Sequence, residues 1–215
     1  MFPIRDHNPS HKFPLTTLFI IVVTSLVFYL EISASDFETF ITQFALTPAK
    51  VSFDNLSSLL PFIYSMFLHG GWFHIISNMW FLWIFGDNVE AVLGNLGFLA
   101  FYLISGLGAG LLQYAVDPVS NIPMLGASGA VAGVLGAYII MYPNHKIDTL
   151  VPGFAGFMHR IELPASIMLG YWFVIQIFSG LGSLATSFEG GVAWWAHIGG
   201  FATGVVLIKL TPSKK

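Results

Sequence analysis

The sequence predicts an all-α integral membrane protein of six transmembrane helices, with a first loop that is itself membrane-associated. Three observations predict it. Of the 215 residues, 55% are hydrophobic and only 9% are charged, against about 25% charged in an ordinary soluble domain. The mean hydropathy of +0.77 likewise belongs to a chain that lives in a bilayer. The charged residues leave six uncharged intervals, 13–30, 55–86, 91–116, 118–145, 163–188 and 190–208, each long enough for a spanning helix of about 20 residues. Finally, with both termini cytoplasmic, Arg5, Lys12, Lys146, Arg160, Lys209, Lys214 and Lys215 lie inside and only Lys50 lies outside, as the positive-inside rule requires.

Taken in order, residues 1–12 are expected to form a cytoplasmic tail, 13–210 the membrane domain and 211–215 a second cytoplasmic tail. The first interval is a retained span and not a cleaved signal, because its apolar run exceeds a signal h-region and no small-residue cleavage site precedes Glu31. The outer connection 31–60 is long and apolar. Its Ser35-x-x-Glu38 spacing predicts a capping box, followed by Phe37, Phe40, Ile41 and Phe44 on one helical face until Pro48. Such a helix lies in the membrane interface, packs on the protein's own outer rim, or does both. The inner connection 143–162, with Lys146, Asp148, Arg160 and Glu162, is expected to be a short solvated loop. His7, His11, His145 and His159 are expected to be exposed polar residues. The absence of cysteine excludes disulfides, thiol chemistry and thiolate metal sites.

Ionisable residues at membrane depth are expensive and mark functional sites. His69, His74 and Asn78 fall in the second interval and His197 in the sixth; His74 and Asn78 are one turn apart on the same face. The fourth interval carries Gly126-Ala127-Ser128-Gly129. Gly129, Gly133 and Gly136 also fit simple close packing of helices, with Ser128 as one more small residue. Depth separates these readings. The second, fourth and sixth segments all run inward, so Ser128, His74, Asn78 and His197 share the outer leaflet. From Ser128 to Tyr142 is about 22 Å of helix at 1.5 Å per residue, so Ser128 starts roughly 8 Å below the outer face of a core about 30 Å thick. The chain from Asp117 to Ala127 must therefore dip into the membrane.

A serine and a histidine in one wet pocket supply acyl transfer: His197 accepts the Ser128 proton and later protonates the leaving amine. Helix N-terminal amides, His74 and Asn78 suit the oxyanion. No carboxylate lies at this depth, which predicts a dyad and not a triad. Gly126, Gly129 and Gly133 on one segment, and Gly199, Gly200 and Gly204 on the other, let the two helices meet.

Gly126-Ala127-Ser128-Gly129, His69-x4-His74-x3-Asn78 and Ala196-His197-Ile198-Gly199-Gly200-x3-Gly204, in that order on three of six segments, resemble the rhomboid intramembrane serine proteases over roughly residues 13–208. The resemblance implies the six-transmembrane-helix rhomboid fold, Ser128 as nucleophile and His197 as base. It also implies His74, Asn78 and the Ser128 amide around the oxyanion, with Gly126 and Ala127 beside it or the substrate, and Glu189–Ala193 as part of a cap. It implies a serine endopeptidase cutting membrane proteins within or beside a transmembrane segment, after a small residue, without a metal or other cofactor. The partners are transmembrane protein substrates and the lipid bilayer, with no nucleic acid. The expected setting is the plasma membrane of a prokaryote, with the site opening outward. His69 matches a position that is structural in the family. Two departures stand out: Leu60-Pro61 replaces a Trp-Arg pair in the first loop, and Ala132 replaces an aromatic that packs on the catalytic histidine in some members. The first loop must then be anchored differently, and His197 must be oriented from elsewhere, with Trp194, Trp195 or nearby aromatics as candidates. Three rivals compete: a non-cutting binder of membrane clients, a zinc site built from His69, His74 and His197, and a proton-coupled transporter.

Overall fold

A computed structural model describes residues 1–8, 10, 12–153, 157–185 and 191–212. It is mostly helical. Three helices are long and apolar enough to cross a membrane: α1 (Leu15–Ser33), α5 (Asn95–Val116) and the Ala165–Leu184 stretch of α7 (Ala165–Ala185). A fourth candidate is a bent pair, in which the 56–67 segment meets α4 (Trp72–Leu93) at 80°. Two shorter apolar helices, α6 (Ser128–Met141) and α8 (Trp194–Leu210), complete the bundle. Between α1 and α4 lie α2 (Phe37–Phe44), α3 (Pro61–Tyr64) and three short 3-10 turns.

α6 is the central post, buried without a break from Gly129 to Tyr138. It packs most extensively on α8, and α5 packs on both. Missing side chains permit this. A Cβ on Gly200 would collide with the carbonyl of Gly129, and one on Gly204 with the carbonyl of Gly133. The two backbones therefore touch, and dispersion between them replaces the hydrophobic effect that lipid cannot supply.

α1 has no side-chain cap of its own at its N-terminus. Glu90 of α4 supplies one instead, its carboxylate accepting from the Thr16 and Thr17 amides at 2.7 and 2.8 Å and from the Thr17 hydroxyl at 2.8 Å. At the other end of α1, Glu31 is fully buried and accepts from the His69 amide at 3.1 Å. Glu31 thus belongs to the helix and not to the outer connection where charge counting puts it. This contact, with the paired backbones of Leu46 and Met124 and a bond from the Ala49 amide to the Ser120 carbonyl, anchors the first loop where the Trp-Arg pair is lacking. α2 forms where its periodicity predicts, but its cap is Asp36, one residue later than expected. The Asp36 carboxylate accepts from the Thr39 amide and hydroxyl. Phe37, Phe40, Ile41 and Phe44 pack with Val27, Ala45, Leu68 and Leu125, which is the rim packing foreseen as one reading.

The all-α expectation fails at one end of the bundle. Phe2–Asp6 form β1 and the supposed solvated loop forms β2 (Lys146–Pro152) and β3 (Met158–Pro164), an antiparallel sheet in the order β1-β2-β3. Asp148 on the central strand is 2% exposed and accepts from Arg160, from Arg5 at 3.2 Å and from His7 at 3.1 Å. The Arg160 guanidinium, helped by His7, holds its carboxyl down to about 2, against the opposing effect of burial. His7 is exposed as expected but is bonded. Since β1 leads to α1, β2 follows α6 and β3 runs into α7, the sheet gathers those three helix ends on one side.

Candidate active site

One large cavity, about 980 Å³, lies among α4, α6, α7, α8 and the 120–125 segment. Ser128, His197, His74 and Asn78 all line it. Of the proposed cap, Glu189 and Gly190 lie outside the described residues, whereas Gly191, Val192 and Ala193 line the same cavity.

Ser128 is the first residue of α6, as its depth predicts. The first helical bond runs from the Val131 amide to the Ala127 carbonyl, so the amides of Ser128, Gly129 and Ala130 have no acceptor within the helix. Those groups and the helix dipole make the start of α6 electropositive. The turn before it needs Gly126, whose φ of +122° is disfavoured for side-chain-bearing residues. A Cβ there would lie 2.7 Å from His74 Nε2 and 3.6 Å from Ser128 Oγ. Both reactive groups therefore crowd the same point.

His197 sits one turn into α8, buried. Its Nδ1 is 2.7 Å from Gln176 Oε1 of α7. The Trp172 ring lies over it, centroids 5.8 Å apart and 31° between planes, and Trp194 meets it edge-on at 6.1 Å. Trp194 or another aromatic was expected near His197, and Trp172 is a second such ring; Gln176 was not expected, and Trp195 makes no such ring contact. Gln176 is the only side-chain amide in the interval 163–188, so extending the search from ionisable to hydrogen-bonding groups at membrane depth finds it. Ser128 and His197 share the cavity but are not hydrogen-bonded to each other; catalytic hydrogen bonds commonly tighten only around substrate.

On α4, His74 Nδ1 accepts from the Gly70 amide at 3.4 Å, so a neutral His74 carries its proton on Nε2, beside Gly126. One N–H of the Asn78 amide donates to the His74 carbonyl at 2.9 Å, and the second is left for the cavity. His69 is fully buried: Nδ1 donates to the Phe67 carbonyl and Nε2 accepts from the Ala127 amide. Its ring is a strut, as the sequence suggested. The Gly126 amide is likewise taken, by the Ser65 carbonyl at 2.8 Å. The amides of Gly126 and Ala127 are thus both engaged, and the two residues shape the turn before Ser128.

The rhomboid domain model matches residues 56–214. Rhomboid-like protein 11, chloroplastic, of Arabidopsis thaliana is 38% identical over 89 residues, 41% of this chain and 31% of that protein. Rhomboid protein 1, mitochondrial, of Saccharomyces cerevisiae is 29% identical over 163 residues, 71% of this chain and 42% of that protein. The mitochondrial presenilin-associated rhomboid-like protein of Rattus norvegicus is 32% identical over 130 residues, 60% of this chain and 33% of that protein. The matches thus span about a third to two fifths of these relatives. Their names are organellar and lend no support to a prokaryotic plasma membrane.

Proposed function

The chain belongs to the rhomboid family, and from that premise we propose that it is an intramembrane serine endopeptidase acting through Ser128 and His197. It is an integral membrane protein, with α6 and α8 joining the longer helices to make six spans and both termini cytoplasmic. The 14 residues of α6 cover about 21 Å, so Ser128 lies below the outer face of the bilayer and the cavity admits water from that side.

The single observation that carries the reading is one cavity shared by Ser128, at a helix start, and His197, with its Nδ1 side already engaged. A transmembrane protein substrate, locally unwound at a small residue, presents a carbonyl to Ser128. The Oγ attacks as its proton passes to His197 Nε2, and the C=O π pair moves onto oxygen. The Ser128 amide, the His74 Nε2–H and the second Asn78 N–H hold that oxyanion. Collapse breaks the C–N bond, the His197 proton goes to the leaving amine, and an acyl-enzyme remains. Water then attacks with His197 again as base, releasing the new carboxyl terminus and returning the proton to Ser128.

The test is cleavage of a reconstituted single-span substrate protein. Wild type yields two fragments, while Ser128→Ala and His197→Ala, folded to the same midpoint, yield none. Substrate capture without cleavage by wild type overturns the reading in favour of client binding.

A further inference from the structure

A histidine base works only if the nitrogen facing the nucleophile carries a lone pair and not a proton. In His197 that choice is made on α7. Gln176 is 3% exposed and its amide is fixed from behind, because Nε2 donates at 2.9 Å to the carbonyl of Trp172, one turn earlier. Turning the amide over would set oxygen against oxygen there. Oε1 is therefore the atom facing His197, 2.7 Å from Nδ1. An amide oxygen only accepts, so Nδ1 carries the hydrogen, and a neutral imidazole then keeps Nε2 bare. The chain of dependence runs from a helix carbonyl to an amide to a tautomer.

We propose that Gln176 is a positioning residue that fixes the tautomer and ring plane of His197, doing with a neutral amide what a carboxylate does in a triad. This rests on the dyad reading above. The chemistry suits the depth, since an uncharged acceptor avoids burying an anion in the membrane. The same helix face adds the Trp172 ring over the imidazole, while α6 has only the small Ala132 one turn after Ser128. Gln176 and Trp172, four residues apart, thus replace an aromatic one turn after the serine. Among the described residues lining the cavity, the ionisable ones besides His197 are His74 from α4 and Asp117 at the end of α5; α6 and α7 present none there, which leaves Gln176 as the hydrogen-bonding partner of Nδ1.

Two measurements test it. Nitrogen-15 NMR of histidine-labelled protein in detergent at neutral pH, with the His197 signals identified by difference from His197→Ala, is expected to show Nδ1 protonated and Nε2 bare. Gln176→Leu should lose that single tautomer and lower kcat by about 10- to 100-fold, the range seen when a metal-bound histidine loses its outer hydrogen-bond partner, with KM within about twofold. Gln176→Glu, which keeps an acceptor, should recover at least tenfold of that loss. An Nε2–H tautomer in wild type overturns the proposal, even where a variant fails to fold. So does a folded Gln176→Leu with wild-type tautomer and kcat. Cleavage by Ser128→Ala or His197→Ala would instead sink the dyad reading, while the NMR result still decides what Gln176 does to the ring.

Discussion

His74 and Asn78 share one backbone carbonyl's neighbourhood yet face the cavity with different groups, a ring N–H and a spare amide N–H. If both serve the oxyanion, Asn78→Ala should slow turnover by on the order of 10- to 1000-fold at unchanged stability, judged from single-donor losses in soluble proteases. Steady-state cleavage alongside a thermal midpoint checks this, and an unchanged kcat removes Asn78 from the role. Ser128, His74, Asn78 and His197 were legible in the sequence because hydrogen-bonding and ionisable groups are costly at membrane depth. Gln176 was not, because, unlike Asn78 beside His74, it has no ionisable residue one turn away to mark its helix face. The engagement of the Gly126 and Ala127 amides by the Ser65 carbonyl and the His69 ring was also hidden, since partners 58 or more residues away leave no local pattern.

Among the elements, α6 and α8 are held by absent side chains. Gly204→Val should drive a Cβ carrying two methyls into the Gly133 carbonyl, where backbone cannot yield; overpacking of this kind costs about 1–3 kcal/mol or more. A fall in thermal midpoint of on the order of 5 °C is expected for a chain of this size. Gly170→Val on α7, which meets nothing within 4 Å, is the control and should leave the midpoint in place. Equal effects at both positions would refute the close-approach account. The glycine spacing foretold this contact. The hairpin of β2 and β3 was missed because its charges were taken for solvated ones, although the β-branched Ile147, Thr149 and Val151 at every second position suit a strand. What the sequence could not supply was the partner: Asp148 is buried only because Arg160 on β3, Arg5 on β1 and His7 just past β1 come to it.

At the scale of the molecule, charge counting located the apolar segments and misjudged their ends. It treats each carboxylate as water-seeking, whereas Glu31 and Glu90 are buried against backbone amides of other segments. The sheet draws the N-terminal strand, α6 and α7 together, and its ionised centre carries a pH signature. The Asp148 carboxyl falls from 3.8 to about 2. Its contribution to stability is therefore complete above about pH 4 and is lost as pH drops towards 2. Asp148→Asn should lower the thermal midpoint at pH 7 and lose most of the wild-type decline between pH 4 and pH 2. Midpoints measured in detergent across that range decide it, and parallel curves would contradict it.

The central claim, an activated serine at membrane depth, is tested most directly by fluorophosphonate labelling of the purified protein in detergent. Wild type is predicted to label covalently on Ser128, and folded Ser128→Ala and His197→Ala are predicted not to label. Labelling of either variant at the wild-type level, or none in folded wild type after prolonged exposure, would contradict it.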